Sequence, residues 1–347
     1  MGLSDFIQNY GGRRVDEYAQ QPSLEGEPAD DSEEPEDAEG LDYEVPREDW
    51  DAVDLDLPDG WRVGDWDDRP IRFVDGKDIG ETVAWLCAPG GYPVPVRLSQ
   101  IGGVVVRLIN GECRREFVVV DKVVSMVADL FPWDEVESFA AELQENGFRL
   151  LPAQPPENRP SYGFEKMRKA AQNRSNDEMG VLEEAVLAQD PGVPTIVDGR
   201  LEPRIGGFDP HEPVFGVVKR HHKNYLHPVG MQLLYQLEPG QRTPVFRLPG
   251  RLEVVSWYVR LAGGAGSMPN WGLVRVEAPR LWFERRARDW SLVDRLSHTL
   301  REYRCRDASY ARAPVSLHPI VRAEESLGSL FHPGSLLTHR FYRLTAL

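Results

Sequence analysis

Short apolar runs closed by turn residues alternate along this chain with longer stretches of helical periodicity. Residues 193–197 form one such run and end in Asp198-Gly199. Residues 214–218 form a second and end in Lys219-Arg220, and residues 71–74 form a third that ends in Asp75-Gly76. Four to eight apolar residues bounded by turn residues read as buried strands. These three strands therefore carry two carboxylates and a cation at their C-terminal ends. Residues 101–109, IGGVVVRLI, read as another strand, Asn110-Gly111 as a hairpin turn and residues 115–120 as the return strand. Residues 79–88 suit either a strand or a short helix.

Helical periodicity predicts helices over 121–131 and 133–146. In the second, Val136, Phe139, Ala140 and Leu143 share a face, and Gly147 closes it as a C-cap residue. A long helix is predicted over about 165–189, stopped by Asp190-Pro191-Gly192. Downstream, strands are expected at 232–237, 245–248, 252–261 and 273–276. A helix is expected over 290–304 with Leu292, Val293, Leu296 and Leu300 inward. A last helix follows Pro333-Gly334 and contains Leu336, Leu337, His339, Arg340 and Tyr342. The order of strand, hairpin strands, helix and strand again predicts an α/β fold: a mixed sheet with flanking helices. An RNase H-like core elaborated by insertions fits that order.

Charge divides the chain in two. The 347 residues carry a formal net charge of −16, which argues against nucleic acid as a partner until its distribution is seen. Residues 1–59 hold 3 basic and 20 acidic residues; residues 60–347 hold 37 basic and 36 acidic. Residues 25–59 are rich in Asp, Glu and Pro and read as a disordered linker, because so few apolar groups cannot offset the entropy of ordering. Before them, residues 1–20 suggest a short amphipathic helix around Phe6, Ile7 and Tyr10 that docks a partner. The expected organisation is thus 1–59 as docking helix plus acidic linker and 60–347 as the catalytic domain, beginning near Trp61. The larger part carries basic clusters at 219–223 and 280–288, which suit phosphates or ordinary solvated surface equally. No apolar stretch approaches the ~20 residues of a membrane span. Cys87, Cys113 and Cys305 are scattered without a CxxC pair, which points to a reducing, cytoplasmic setting rather than a disulfide framework or zinc ribbon.

Two carboxylates on rigid strand ends are raw material for a divalent-metal site, and a following glycine lets a substrate backbone come close. Two metal ions ~3.5–4 Å apart activate water and stabilise the leaving oxygen in phosphodiester hydrolysis. Asp-Gly is equally a common turn dipeptide, so each one alone also reads as a turn. A third ligand is available on the long helix, which offers Asp177, Glu178, Glu183 and Glu184. His339 is a candidate proton donor or phosphate contact, or simply a satisfied histidine.

The series FVDG (73–76), a VVVRL strand, IVDGRL (196–201), VFGVVKR (214–220) and a C-terminal Leu-x-x-His resembles the NurA nucleases over residues 65–347. That resemblance implies an RNase H-like core, Mn²⁺ (or Mg²⁺) dependence, a homodimer and a HerA-type hexameric ATPase as partner in DNA end processing or anti-phage defence. It places metal ligands at Asp75, at a helical glutamate and at Asp198. Glu178, preceded by Arg174, is the first choice for the glutamate, with Glu183 second. It assigns Lys219 and His339 to the remaining catalytic positions. Lys77 stands where the family has Ser, and His332 and Thr338 depart from its C-terminal pattern. Those departures motivate a second reading, a catalytically weak or inactive nuclease-like assembly module that docks a motor ATPase. A third, nucleotidyl transfer or phosphatase chemistry, requires a phosphate-binding loop, and the only candidate, 263–266, lacks the Lys-Ser/Thr of a P-loop.

Overall fold

The computed structural model describes residues 2–15, 40–154, 163–219, 225–263, 270–307 and 315–347. Among these, the strands are β1 (Arg13–Arg14), β2 (Leu41–Asp42), β3 (Val53–Asp54), β4 (Arg72–Cys87), β5 (Pro93–Ile109), β6 (Glu112–Val127), β7 (Arg149–Ala153), β8 (Thr195–Asp198), β9 (Val214–Val218), β10 (Gln241–Arg242), β11 (Phe246–Leu248), β12 (Val254–Arg260) and β13 (Leu273–Pro279). The helices are α1 (Leu3–Asn9), α2 (Trp133–Glu145), α3 (Phe164–Leu187), α4 (Pro228–Gln236), α5 (Arg280–Arg285), α6 (Trp290–Tyr303), α7 (His318–Gly328) and α8 (Gly334–Thr345).

One mixed sheet joins the strands in the order β2-β11-β12-β13-β9-β8-β4-β5-β6-β7. Strands β4, β5 and β6 form an antiparallel meander, while β8 runs parallel to β4 and β9 parallel to β8. The meander strands are 16 or 17 residues long, roughly 55 Å at ~3.3 Å per residue, so they outrun a single core. They carry two. At one end Phe73, Ile196, Phe215, Trp257 and Val276 pack beneath α5, α6 and α7. At the other end Val83, Leu86, Val94 and Val96 pack against α1, α2 and α8. On the opposite face of the first end, Val74, Val105 and Val197 meet Val186 and Leu187 of α3. Alternation along β4 thus sends Phe73 to the α7 side and Val74 to the α3 side, as a pleated strand requires.

Several sequence expectations change here. Residues 121–127 extend β6 instead of starting a helix. The run FVVVDKVVSMV is dense in β-branched residues, and pairs with β5 on one side and β7 on the other fix it as strand. Residues 232–236 belong to α4, not to a strand. Pro228 sits at the start of that helix and the His227 imidazole Nδ1 accepts a hydrogen bond from Gly230 N, which caps it.

The first 59 residues are also more integrated than their composition suggests. Phe6 and Ile7 are fully buried inside the molecule, so they are not a surface free to dock a partner. Phe6 stacks on Phe139 at 4.4 Å and lies 5.5 Å from Phe131. β2 and β3, from the stretch read as linker, pair with β11 and β10. Glu44 is held by the buried Arg242 at 2.7 Å, and Arg242 is held in turn by Asp294 at 2.7 Å. The rest of the acidic stretch (16–39), the basic residues 220–223 and residues 264–266 lie outside the described residues. Removing the Phe6 ring (Phe6→Ala) is expected to destabilise the chain by roughly 3–5 kcal/mol, the usual cost of emptying a buried aromatic site. Chemical denaturation of the two proteins measures it.

Candidate functional site

The parallel β4–β8–β9 register decides which side chains meet. Val74 pairs with Val197, so the next step in the same register sets Asp75 beside Asp198. Asp198 pairs with Val217, and Lys219 lies two residues further on the same face. Its Nζ reaches back to donate to Asp198 Oδ2 at 2.7 Å. The turn after Asp198 is made by Gly199 at φ +113°, a conformation that L side chains rarely adopt.

The helical glutamate that reaches this junction is Glu183, not Glu178. α3 lies close on the sheet over Gly76 and Gly103. A Cβ on Gly76 would stand 2.6 Å from Glu183 Cδ, and one on Gly103 would stand 2.8 Å from Leu182 O. Glycine at both places lets the helix sink and seats the Glu183 carboxyl on Gly76, where its charge is felt by Asp75 and it feels that of Asp198. Glu178 is five residues earlier, about 140° around the helix at 3.6 residues per turn. There its two oxygens are taken by Arg149 Nη1 at 2.7 Å and Arg174 Nη2 at 2.8 Å. Burial alone would raise the Glu178 pKa, but the two guanidinium groups outweigh it and hold it below the ordinary value. Of the other two acids, Asp177 is exposed and Glu184 accepts from Gly206 N at 3.0 Å.

His339 lies elsewhere. Its neighbour Thr338 donates to Glu81 at 2.7 Å, six residues and roughly 20 Å along β4 from Asp75. The chain has three His-Pro pairs, His227-Pro228, His318-Pro319 and His332-Pro333, each just before or at the start of a helix. The helix opened by the second, α7, is the one that covers the carboxylates, and it brings Glu324. Lys77 Nζ stands 3.7 Å from Glu324 Oε1. Neither α7 nor Glu324 was anticipated from the sequence, although the buried spacing Ile320, Ala323, Leu327 was there to be read.

Asp75 is only 8% exposed, and its carboxyl makes no hydrogen bond or ion pair among the described residues. Burial raises its pKa well above the usual carboxylate range. The negative charge of Asp198 pushes it further, Lys219 opposes, and Glu183 and Glu324 add to the rise. Glu183, 2% exposed, is raised by burial, pulled back by Arg204 and raised again by Asp198. Its Oε2 lies 2.7 Å from Arg204 Nη2 as an ion pair yet accepts no aligned hydrogen bond. The site is therefore a buried knot of carboxylates held in check by Lys219, Arg204 and Lys77. Among the described residues, no three His, Cys, Asp or Glu side chains meet closely enough to hold one ion as they stand. One feature nonetheless fits a divalent cation: the buried Asp75 carboxyl, which has no hydrogen-bond or ion-pair partner among the described residues. Hard oxygen donors of this kind suit Mg²⁺ or Mn²⁺.

No protein-family model matches the chain, and no curated protein matches it. Among solved structures it is similar to the NurA nuclease from Sulfolobus solfataricus, with 12% identity, 86% of each chain covered and a TM-score of 0.38. Among the described residues no helix is long and apolar enough to cross a membrane.

A raised carboxyl pKa means that the folded chain binds a proton that the unfolded chain has released. Stability therefore falls as pH rises from the ordinary Asp value up through the raised one. Asp75→Asn removes that cost. The variant is expected to melt a few degrees above wild type at pH 7–8 in EDTA, taking ~1 kcal/mol as ~2–4 °C. The gain is expected to vanish near pH 4; a pH series of melting curves checks both ends.

Proposed function

We propose that this chain is a metal-dependent nuclease with an RNase H-like core, acting on DNA. The observation that carries the reading is the convergence of Asp75, inside β4, and Asp198, at the end of the parallel β8, with Lys219 paired to Asp198 and the Glu183 carboxyl pressed onto Gly76. The sequence order behind that convergence, a three-strand meander, then a helix, then two strands parallel to the first, supports the RNase H-like assignment. In this reading Asp75, Asp198 and Glu183 hold one or two divalent ions. When bound, such ions supply an activated water and stabilise the oxygen that leaves the phosphorus.

The chain's own residues do the rest. Asp75 and Asp198 sit on neighbouring strands, so their spacing is fixed by the sheet rather than by a loop. Lys219, now paired with Asp198, is placed to turn toward the phosphate and neutralise its charge. Arg204 orients Glu183 from the far side and prevents a third buried carboxylate from standing uncompensated. Gly76 makes room for the Glu183 carboxyl, and Gly199 turns the chain sharply after Asp198. On the motif resemblance alone, we extend the proposal to a homodimer that works with a HerA-type hexameric ATPase in DNA end processing or defence.

A second reading is favoured by a specific observation: Lys219, Arg204 and Lys77 already neutralise carboxylates that metal ions would use. A nuclease-like module without activity, docking a motor ATPase, would show this arrangement permanently. Cleavage of linear single- and double-stranded DNA in Mn²⁺, Mg²⁺ or EDTA separates the two. The nuclease is expected to require metal, and Asp75→Asn and Glu183→Gln to lose more than the roughly 10–100-fold that an outer-shell loss costs. Glu178→Gln is expected to stay within a few-fold of wild type. Full activity in Asp75→Asn overturns the site. Absence of both cleavage and calorimetric Mn²⁺ binding in wild type selects the module.

A further inference from the structure

The α8 helix carries a second chemical feature, away from the carboxylates. Its inner side, Leu337, Phe341 and Thr345, is buried against the β4–β6 ribbon and α2. Beside that side runs a stripe of His332, Leu336, His339, Arg340 and Arg343, at the three- and four-residue spacing that places side chains in a row. This stripe and Lys122 of β6 line a cleft whose remaining wall is Leu337. None of the seven lining residues is acidic. Three are permanent cations, two are imidazoles, and Leu336, 56% exposed, is an apolar side chain left in solvent among them.

The cations are not consumed by partners in the way the site's cations are. Arg340 donates to Asn146 O at 2.7 Å and lies over the Phe148 ring at 5.3 Å, so its position is fixed by neutral groups. The side chains of Lys122 and Arg343 make no ion pair among the described residues. Asp121, next to Lys122 on β6, binds Arg149 at 2.8 Å, and Glu81 on β4 accepts from Thr338 at 2.7 Å. The cleft's mouth is held rigidly. The buried Gln100 amide clamps the His332 backbone in both directions, with Nε2 donating to His332 O and Oε1 accepting from His332 N, each at 2.8 Å.

We propose that this cleft binds the backbone of single-stranded DNA. A row of cations on apolar stems, with an exposed leucine and two flat imidazoles between them, offers phosphate contacts and base-facing surface together. A duplex groove reader would instead require a protruding helix or ribbon. Gln100 pairs with Ile79 on β4, four residues and roughly 13 Å along the strand from Asp75. A strand seated in the cleft would reach the carboxylates after about four nucleotides at the ~3.4 Å spacing of stacked DNA. The cleft thus supplies the substrate class for the nuclease reading, on which it rests: a single strand led in from the α8 end.

The test uses binding in EDTA, where cleavage plays no part. A labelled oligo-dT 20-mer and a duplex of equal length are titrated with the full chain and with a Lys122→Glu/Arg343→Glu variant, at several salt concentrations. The single strand is expected to lose at least tenfold in affinity. Its log–log salt slope is expected to become shallower by about 1.4, at ~0.7 per lost phosphate contact. The duplex is expected to change less than threefold. Unchanged single-strand affinity and slope, or an equal loss for both ligands, overturns the proposal. Matching melting curves for variant and wild type show that the fold is kept. If the wild-type chain cuts DNA while the variant binds normally, the cleft alone is wrong and the nuclease reading stands.

Discussion

A carboxylate taken out of water is costly unless something stands opposite it, and the centre of this molecule is arranged around that cost. Asp75 is buried on a strand whose register forces Asp198 alongside it, while α3 presses Glu183 against the neighbouring glycine. Three negative charges in low dielectric would repel each other by several kcal/mol without compensation. The protein answers with Lys219 on Asp198, Arg204 on Glu183, and a proton that Asp75 keeps more readily than a solvated carboxyl would. The site is thereby an unfavourable local arrangement tolerated by a large core.

The sheet explains how such a core can be built. Long antiparallel strands spanning two hydrophobic centres let one end hold the carboxylates while the other anchors α1, α2 and α8. Folding the acidic N-terminal stretch's edges into the same sheet, through Glu44 on Arg242, adds a buried ion pair where composition alone predicts solvated chain.

Asp198 and Lys219 were legible in the sequence because strand-end signals are local: an apolar run, then a charge. The meander was legible for the same reason, since Asn110-Gly111 marks its tight turn. Asp75 carries the same signal, but its strand does not end there: β4 continues to Cys87, and Gly76 pairs with Gly103 inside it rather than making a turn. What failed was information carried by contacts between distant segments. Glu178 and Glu183 fall on different sides of the helical wheel, and nothing local says which side meets the carboxylates until Arg149 and Gly76 show it. His339 was drawn in by a short C-terminal pattern, although His318-Pro319 begins another helix with as good an apolar stripe. Residues 121–127 read as helix because apolar residues at 123, 124, 126 and 127 satisfy both periods, and only pairing on both edges decides. Phe6 and Ile7 looked like a free amphipathic face because their partners, Phe131 and Phe139, lie more than a hundred residues away.

The Arg149–Glu178–Arg174 clamp has a mechanical meaning beyond its charge balance. α3 is a rod of 24 residues, roughly 36 Å, lying across β4, β5 and β6. Gripped at Glu178 by a β7 side chain, it is not free to roll about its axis, and Glu183 a turn and a half away inherits that fixed azimuth. The clamp therefore works like a tuning peg: a small rotation at the β7 edge becomes a lateral displacement of the Glu183 carboxylate over Gly76. Sequence change at β7 would retune the site without touching it.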